Sequence, residues 1–288
     1  MKHLCGSSDS SANRAAHRAL DPSQTVLAYL CNRTEQDRQL RDAWQLHYSS
    51  FQRRRRPFVC VVQGSVLEDH IGYIRRLTSY SVPQAIGLGP DCEIGRPIRV
   101  KWPENSADRN AVASALLGNL AAELACSPEP AEILARLCEF GEAFVVYCEL
   151  SPNMMSSAQQ STIEGFFDLW ARWPDLQCRQ KMIVVLSVQY SFNSPAWFPK
   201  YQEEIVAHAA NEGRVSVVVL NELPSVSSQH VKDWIRLPAI ERFCDVERNA
   251  AAWEAEIDNV FGDRGQIPME QLVGTLNRML NMYQRRAL

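Results

Sequence analysis

The stretch Gln63–Ile71 (QGSVLEDHI) follows the apolar run Phe58–Val62 and precedes a helical pattern, the place where a strand-to-helix turn can cradle a phosphate. A phosphate loop of the form G-x-x-x-x-G-K-[ST] needs glycines for close backbone approach, a lysine for the outer phosphates and a hydroxyl for magnesium. Counted from Gly64, the last three places hold Asp69, His70 and Ile71. A carboxylate there repels phosphate, an imidazole replaces the ammonium, and an aliphatic side chain offers no oxygen to a hard cation. The outline of a nucleotide loop is present without its chemistry.

Other residues have the types that chemistry uses. Glu149, at the end of the run AFVVYC, stands where an acid would ligate magnesium or orient water, or is a solvated strand-end carboxylate. His70, in the first turn of a helix, either binds an anion or is an ordinary surface side chain. Arg53, Arg54, Arg55 and Arg56 form a run flanked by Phe51 and Phe58 that could contact nucleic acid but, before a buried strand in a chain of negative net charge, reads rather as a solvated linker or as a docking site for an acidic partner. Arg75, Arg76 and Arg96 would extend that patch if the fold brought them near. Trp170 and Trp173 follow Ile163, Phe166 and Phe167 at helical spacing, which buries most of such a group and leaves either tryptophan as a contact candidate. Met154 and Met155 on a loop are a second candidate contact.

Hydrolase signatures are weak. No G-x-S-x-G elbow occurs, and the one pairing of nucleophile with base that the order of elements suggests is Cys148 with His230. GLG at Gly87–Gly89 has Pro90 beside it and no preceding strand, so it reads as a loop. Nine cysteines, an odd number with no C-x-x-C spacing, argue against a metal ribbon and for a reducing compartment. No catalytic residue, metal ligand or cofactor is expected.

The elements that must position these residues alternate. Strands are predicted at Phe58–Val62, Pro97–Trp102, Ala143–Cys148, Met182–Val188 and Arg214–Leu220. Helices are predicted at Leu67–Leu77, Ala107–Ala125, Pro130–Glu139, Ser161–Trp173 and Pro199–Asn211. Two helical patterns precede the first strand, with Thr34 and Asp37 as an N-cap signal for the second. Helices from Ser227 or Ser228, at Ala251–Val260 and at Met269–Met282 follow the last strand. This order gives an α/β fold with three layers: a central, mainly parallel five-stranded sheet, a helical N-terminal extension and C-terminal helices. Residues 1–21, rich in Ser, Ala and Arg, read as a flexible tail, and residues 22–288 as one domain.

At 288 residues, with 46 % apolar and 22 % charged side chains, the chain is globular rather than disordered or fibrous. A net charge of −3 gives no global attraction for nucleic acid or an anionic membrane. The start of the chain lacks a signal-peptide core, which points to the cytoplasm.

The segments AYLCNRTEQDRQLRDAW, RPFVCVVQGSVLEDHIGYIRRL and NELPSVSSQHVKDWIRLPAIERF together resemble the inactive STAND domains of bacterial conflict systems. These are relatives of signal-transducing P-loop ATPases. The resemblance implies a P-loop NTPase-like fold that has lost its nucleotide chemistry and serves as a sensor or scaffold in defence or stress signalling, with protein partners such as adaptor or effector chains. The alternatives that the residues leave open are a divergent nucleotide-binding switch using His70 and Glu149, with a small nucleotide as ligand, and a hydrolase with an unrecognised site.

Overall fold

The computed structural model describes residues 24–87, 94, 96–103, 108–152, 159–177, 179–191, 215–246 and 248–284. Five strands form one sheet: β1 (Phe58–Ser65), β2 (Ile98–Arg99), β3 (Ala143–Leu150), β4 (Lys181–Tyr190) and β5 (Ser216–Val219). Every pairing is parallel, in the order β2-β3-β4-β1-β5. The first strand thus lies inside the sheet, between the fourth and fifth. That position explains its composition, since a strand covered on both faces must be apolar along its whole length, and Phe58–Val62 are all buried. The α/β class with a central five-stranded parallel sheet is as the sequence pattern predicts.

Alternate residues of each strand serve two different cores. Val59 and Val61 point with Phe144, Val146 and Val184 toward α5 (Arg109–Leu124), α6 (Pro130–Cys138) and α7 (Gln159–Ala171). Phe58, Cys60 and Val62 point with Val145 and Val185 toward α2 (Thr34–Ser49) and α3 (His70–Arg76). A third apolar cluster joins the chain's two described ends. Val26–Cys31, spanning α1 (Gln24–Leu27) and a 3-10 turn, pack with α8 (Ser228–Ile235), α9 (Pro238–Phe243), α10 (Ala250–Phe261) and α11 (Met269–Met282). There the Trp234 indole N–H donates to the Leu27 carbonyl at 2.8 Å. A short antiparallel pair, β6 (Val226–Ser227) with β7 (Gln266–Ile267), ties α8 to α11.

Several boundaries differ from the sequence pattern for identifiable reasons. The expected strand Pro97–Trp102 shortens to β2, an edge strand with β3 as its neighbour, because Pro97 has no N–H to give a ladder. The helix expected at Leu67 starts at His70, since Asp69 adopts a left-handed backbone (φ +47°) and caps it. It then widens into a π-helical stretch, Leu77–Ser81, before α4 (Val82–Ala85), where Pro83 cannot donate to the preceding turn. Thr34 does not cap α2. Arg33 precedes that helix with no side-chain cap, and Asp37 turns instead to Arg76 and Ser81. Ser227 does cap α8, in a reciprocal capping box with His230. The tail at residues 1–21 and the helix expected at Pro199–Asn211 lie outside the described residues.

Gly165 sets how closely α7 approaches α5. A Cβ there would stand 2.5 Å from the Arg109 carbonyl oxygen and 2.9 Å from its Cα, both backbone atoms that cannot swing aside. The contact is reinforced by the Arg109–Glu164 ion pair. Gly165→Ala is therefore expected to destabilise the fold by about 1–3 kcal/mol through overpacking, read as a lower urea midpoint with an unchanged slope.

Candidate functional site

The turn between β1 and α3 is the place to test for a ligand site, and its backbone is spent on itself. Ser65 accepts the Leu67 N–H at 3.3 Å, and the Asp69 carboxylate accepts the Gly72 N–H at 2.9 Å. Those are two of the donors that a phosphate at the start of a helix could use, and side chains already hold them. The adjacent residues Glu68 and Asp69 also put two carboxyl groups in the loop.

His70 fills the space next to Gly64. Its Nε2 lies 3.1 Å from the Ser65 carbonyl oxygen, which can only accept, so the proton sits on Nε2. Nδ1 is then free to accept the Ser187 hydroxyl of β4 at 2.9 Å. A Cβ on Gly64 would stand 3.3 Å from the same Nε2 and 3.1 Å from Leu223 Cβ. His70 is 2 % exposed, and burial pulls its pKa down to about 4, so it is neutral near pH 7. Both readings drawn from the sequence are corrected: His70 is neither a surface side chain nor a cationic anion binder. It is an interior brace between β1 and β4.

Glu68, which sequence reasoning passed over, is the most connected group of the turn. At 3 % exposure, its two oxygens accept the Ser225 hydroxyl at 2.6 Å and the Met269 N–H at 3.3 Å. Arg33, 2 % exposed, pairs with it at 3.6 Å and donates to the Pro224 carbonyl at 2.8 Å. Burial disfavours the charge on Arg33, and Glu68 opposes that. Adjacent acids in LEDH and an arginine just ahead of a helix were the available signals. Nothing local joins them.

The remaining candidates fall into place around this turn. Glu149, at the end of β3, forms an ion pair with Arg99 at 2.9 Å and lies 3.5 Å from the Gln189 amide, so it is not a solvated acid; it stands in register with His70's partner Ser187, but its own bonds go to Arg99 and Gln189. Of the arginine run, Arg55 and Arg56 hold Asp175 at 3.2 and 2.7 Å, and Arg56 also donates to the Trp173 carbonyl. Arg53 and Arg54 are exposed, Arg54 over the Phe51 ring. Arg76 does not extend that patch. It is buried against Asp37 and the Tyr29 carbonyl, while Arg75 and Arg96 line a cleft that none of the run lines. Trp170 and Trp173 are 3 % and 1 % exposed, so the structure corrects their reading as surface contacts: with Phe166 and Phe167 they fill the core beneath α5. Met154 and Met155 lie outside the described residues. Cys148 is buried in the sheet core with its thiol pKa pushed up by burial, and His230 caps α8, so the fold does not unite them as nucleophile and base.

The buried neutral His70 has a sign-definite consequence for pH. Its folded pKa of about 4 lies below the ordinary 6.5, so the unfolded chain takes up the proton first. The stability is complete above about pH 6.5 and is lost as pH falls toward about 4, at up to ~1.4 kcal/mol per pH unit. His47, also buried and with its pKa lowered to about 4 by burial, acts in the same direction. Urea midpoints measured across this window should fall with acidification, and His70→Asn should reduce the slope by one histidine's share. For Glu68→Ala, which strands a buried guanidinium, the expected loss is about 3–5 kcal/mol, and Arg33→Met added to it should restore part of that loss in the same unfolding experiment.

Comparisons with known proteins follow this geometry. No curated protein matches the chain. Among solved structures, similar chains occur in Drosophila ORC bound to GC-rich DNA and Cdc6, at 12 % identity over 81 % of this chain and 36 % of that one, with a TM-score of 0.39. A second occurs in Drosophila ORC bound to poly(dA/dT) DNA and Cdc6, at 10 % identity over 82 % of this chain and 38 % of that one, also at 0.39. The chain thus spans little more than a third of the length of these structures' matching chains. The model of the family described as inactive STAND matches residues 28–188. That region covers more than half of the sequence, including β1 to β3, most of β4 and the turn with Glu68 and His70, and the chain belongs to the inactive STAND family.

Proposed function

We propose that this protein is a non-catalytic sensor or scaffold of a bacterial defence or stress-signalling system, working in the cytoplasm by binding protein partners such as adaptor or effector chains. One observation carries the reading. The space that a phosphate would take between Gly64 and the start of α3 is held by the buried side chains of His70 and Glu68, each bonded to other parts of the fold. A nucleotide would have to displace them, costing Ser187 and the Met269 N–H their hydrogen bonds and Arg33 its carboxylate. Membership of the inactive STAND family supports the same reading. The absence, among the described residues, of any helix long and apolar enough to cross a membrane is compatible with it. Arg53 and Arg54, left exposed by the ion pairs of their neighbours, remain available to an acidic partner surface.

A scaffold need not distinguish nucleotide states, whereas a switch must bind one more tightly than another. Calorimetric titration of the purified protein with ATP and with GTP, each with Mg²⁺, is expected to give no binding heat up to millimolar ligand, and the purified protein is expected to carry no nucleotide. Saturable micromolar binding would overturn the proposal and establish a nucleotide switch in its place.

A further inference from the structure

The two helix layers of the sheet are unequal. A parallel sheet is ordinarily covered on both faces. On one face, the core beneath α5, α6 and α7 reaches as far as Ile98 of the edge strand. On the other, α2 and α3 pack over β5, β1 and β4, and beyond α3 lies an open cleft of about 640 Å³ that also reaches Glu123 and Leu124 at the end of α5. Arg99 of β2 stands in register with Tyr147 of β3, and both line this cleft. It extends from Ile71, in the first turn of α3, to Phe140, just ahead of the amino end of β3, a span on the order of 20 Å for strands of this length.

Two properties of the lining select an occupant. The first is charge. Arg75, Arg96 and Arg99 are all exposed at the cleft, and Glu123 is the one acid among its described lining residues. Arg99 is paired with Glu149, but neither Arg75 nor Arg96 has an ion-pair partner among the described residues. The guanidinium groups converge: burial and Glu149 push the Tyr147 phenol up, and Arg99, Arg75 and Arg96 all act on it in the opposite sense. The second is apolar exposure. Ile71 is 40 % and Phe140 49 % exposed, at opposite ends of the cleft, although both are large hydrophobic side chains. An occupant must therefore present carboxylates near the middle and apolar groups toward both ends, over a distance that suits a peptide segment better than a compact ligand.

We propose that this cleft is the docking site for an acidic amphipathic segment of a partner protein, which covers the face of β2 and β3 left open by the described helices. Its carboxylates pair with Arg75 and Arg96, and its apolar side chains cover Ile71 and Phe140. This deepens the scaffold reading and rests on it.

The test is unbiased selection of a displayed random-peptide library on the full chain, followed by fluorescence anisotropy with the selected peptides. The expected winners carry clustered Asp and Glu flanked by apolar residues. Their affinity should fall at least ~10-fold in the double variant Arg75→Glu, Arg96→Glu and should weaken with salt. Both side chains are exposed, so circular dichroism should show the variant folded as the parent is. Winners without acidic enrichment, no winners at all, or binding indifferent to the charge reversal would overturn the proposal. So would displacement of the peptide by ATP that inorganic phosphate at matched ionic strength does not reproduce, since the cleft would then be a site for a small phosphorylated ligand. Heat from the nucleotide titration together with an intact acidic-peptide selection would instead overturn the scaffold reading alone.

Discussion

A carboxylate buried to the extent of Glu68 is tolerable only when nearly all of its hydrogen-bonding capacity is used, because removing such an ion from water costs several kcal/mol. Glu68 meets that condition by drawing on three distant parts of the chain: Arg33 ahead of α2, Ser225 after β5, and the first N–H of α11. Each bond is thus a condition on the others. The β1–α3 turn can be in its observed place only if the C-terminal helices are docked, and the helices are oriented by the carboxylate of the turn. In this architecture the first strand-to-helix turn has become a joint between sheet and helical cap, made from the protein's own charges.

His70 strengthens the same joint from the sheet side. Its two ring nitrogens connect the end of β1 to the interior of β4, and this requires a neutral imidazole. The turn therefore does more than lack the lysine, second glycine and hydroxyl of a phosphate loop. Its side chains are bonded inward to the fold. Returning single residues to the phosphate-loop pattern would not open such a turn, because Ser187, Ser225 and Arg33 stand to lose partners.

What the sequence made legible follows from the range of the interactions involved. The sheet could be read because β1, β3 and β4 are long apolar runs, a local pattern with one physical meaning when bounded by turn residues. That Gly64–Ile71 lacks the phosphate-loop pattern could be read because such a motif is linear. What the turn binds instead could not, since Glu68 meets residues 157 and 201 positions away and His70 meets one 117 away. Trp170 and Trp173 sat on a helix whose spacing left some of its aromatics free to face outward, and the close approach of α5 across Gly165 is what encloses them. The arginine run divided in two for a similar reason: Asp175, far along the chain, claims Arg55 and Arg56 and leaves Arg53 and Arg54 exposed.

The apolar cluster shared by Val26–Cys31 and the C-terminal helices sets the order in which the chain can mature. Leu27 receives its bond from Trp234, 207 positions later, and β1 receives one of its neighbours from β5. During synthesis Val26, Leu27 and Leu30 emerge well before the surface that covers them, whose Trp234 follows Leu27 by 207 positions. Until then they are exposed hydrophobic side chains beside a central strand lacking an edge partner, the kind of surface that chaperones hold and that aggregates when unattended. Folding of this domain consequently needs two segments about 200 positions apart to close on each other, and a ribosome that stops before α8 releases a sheet that cannot be sealed.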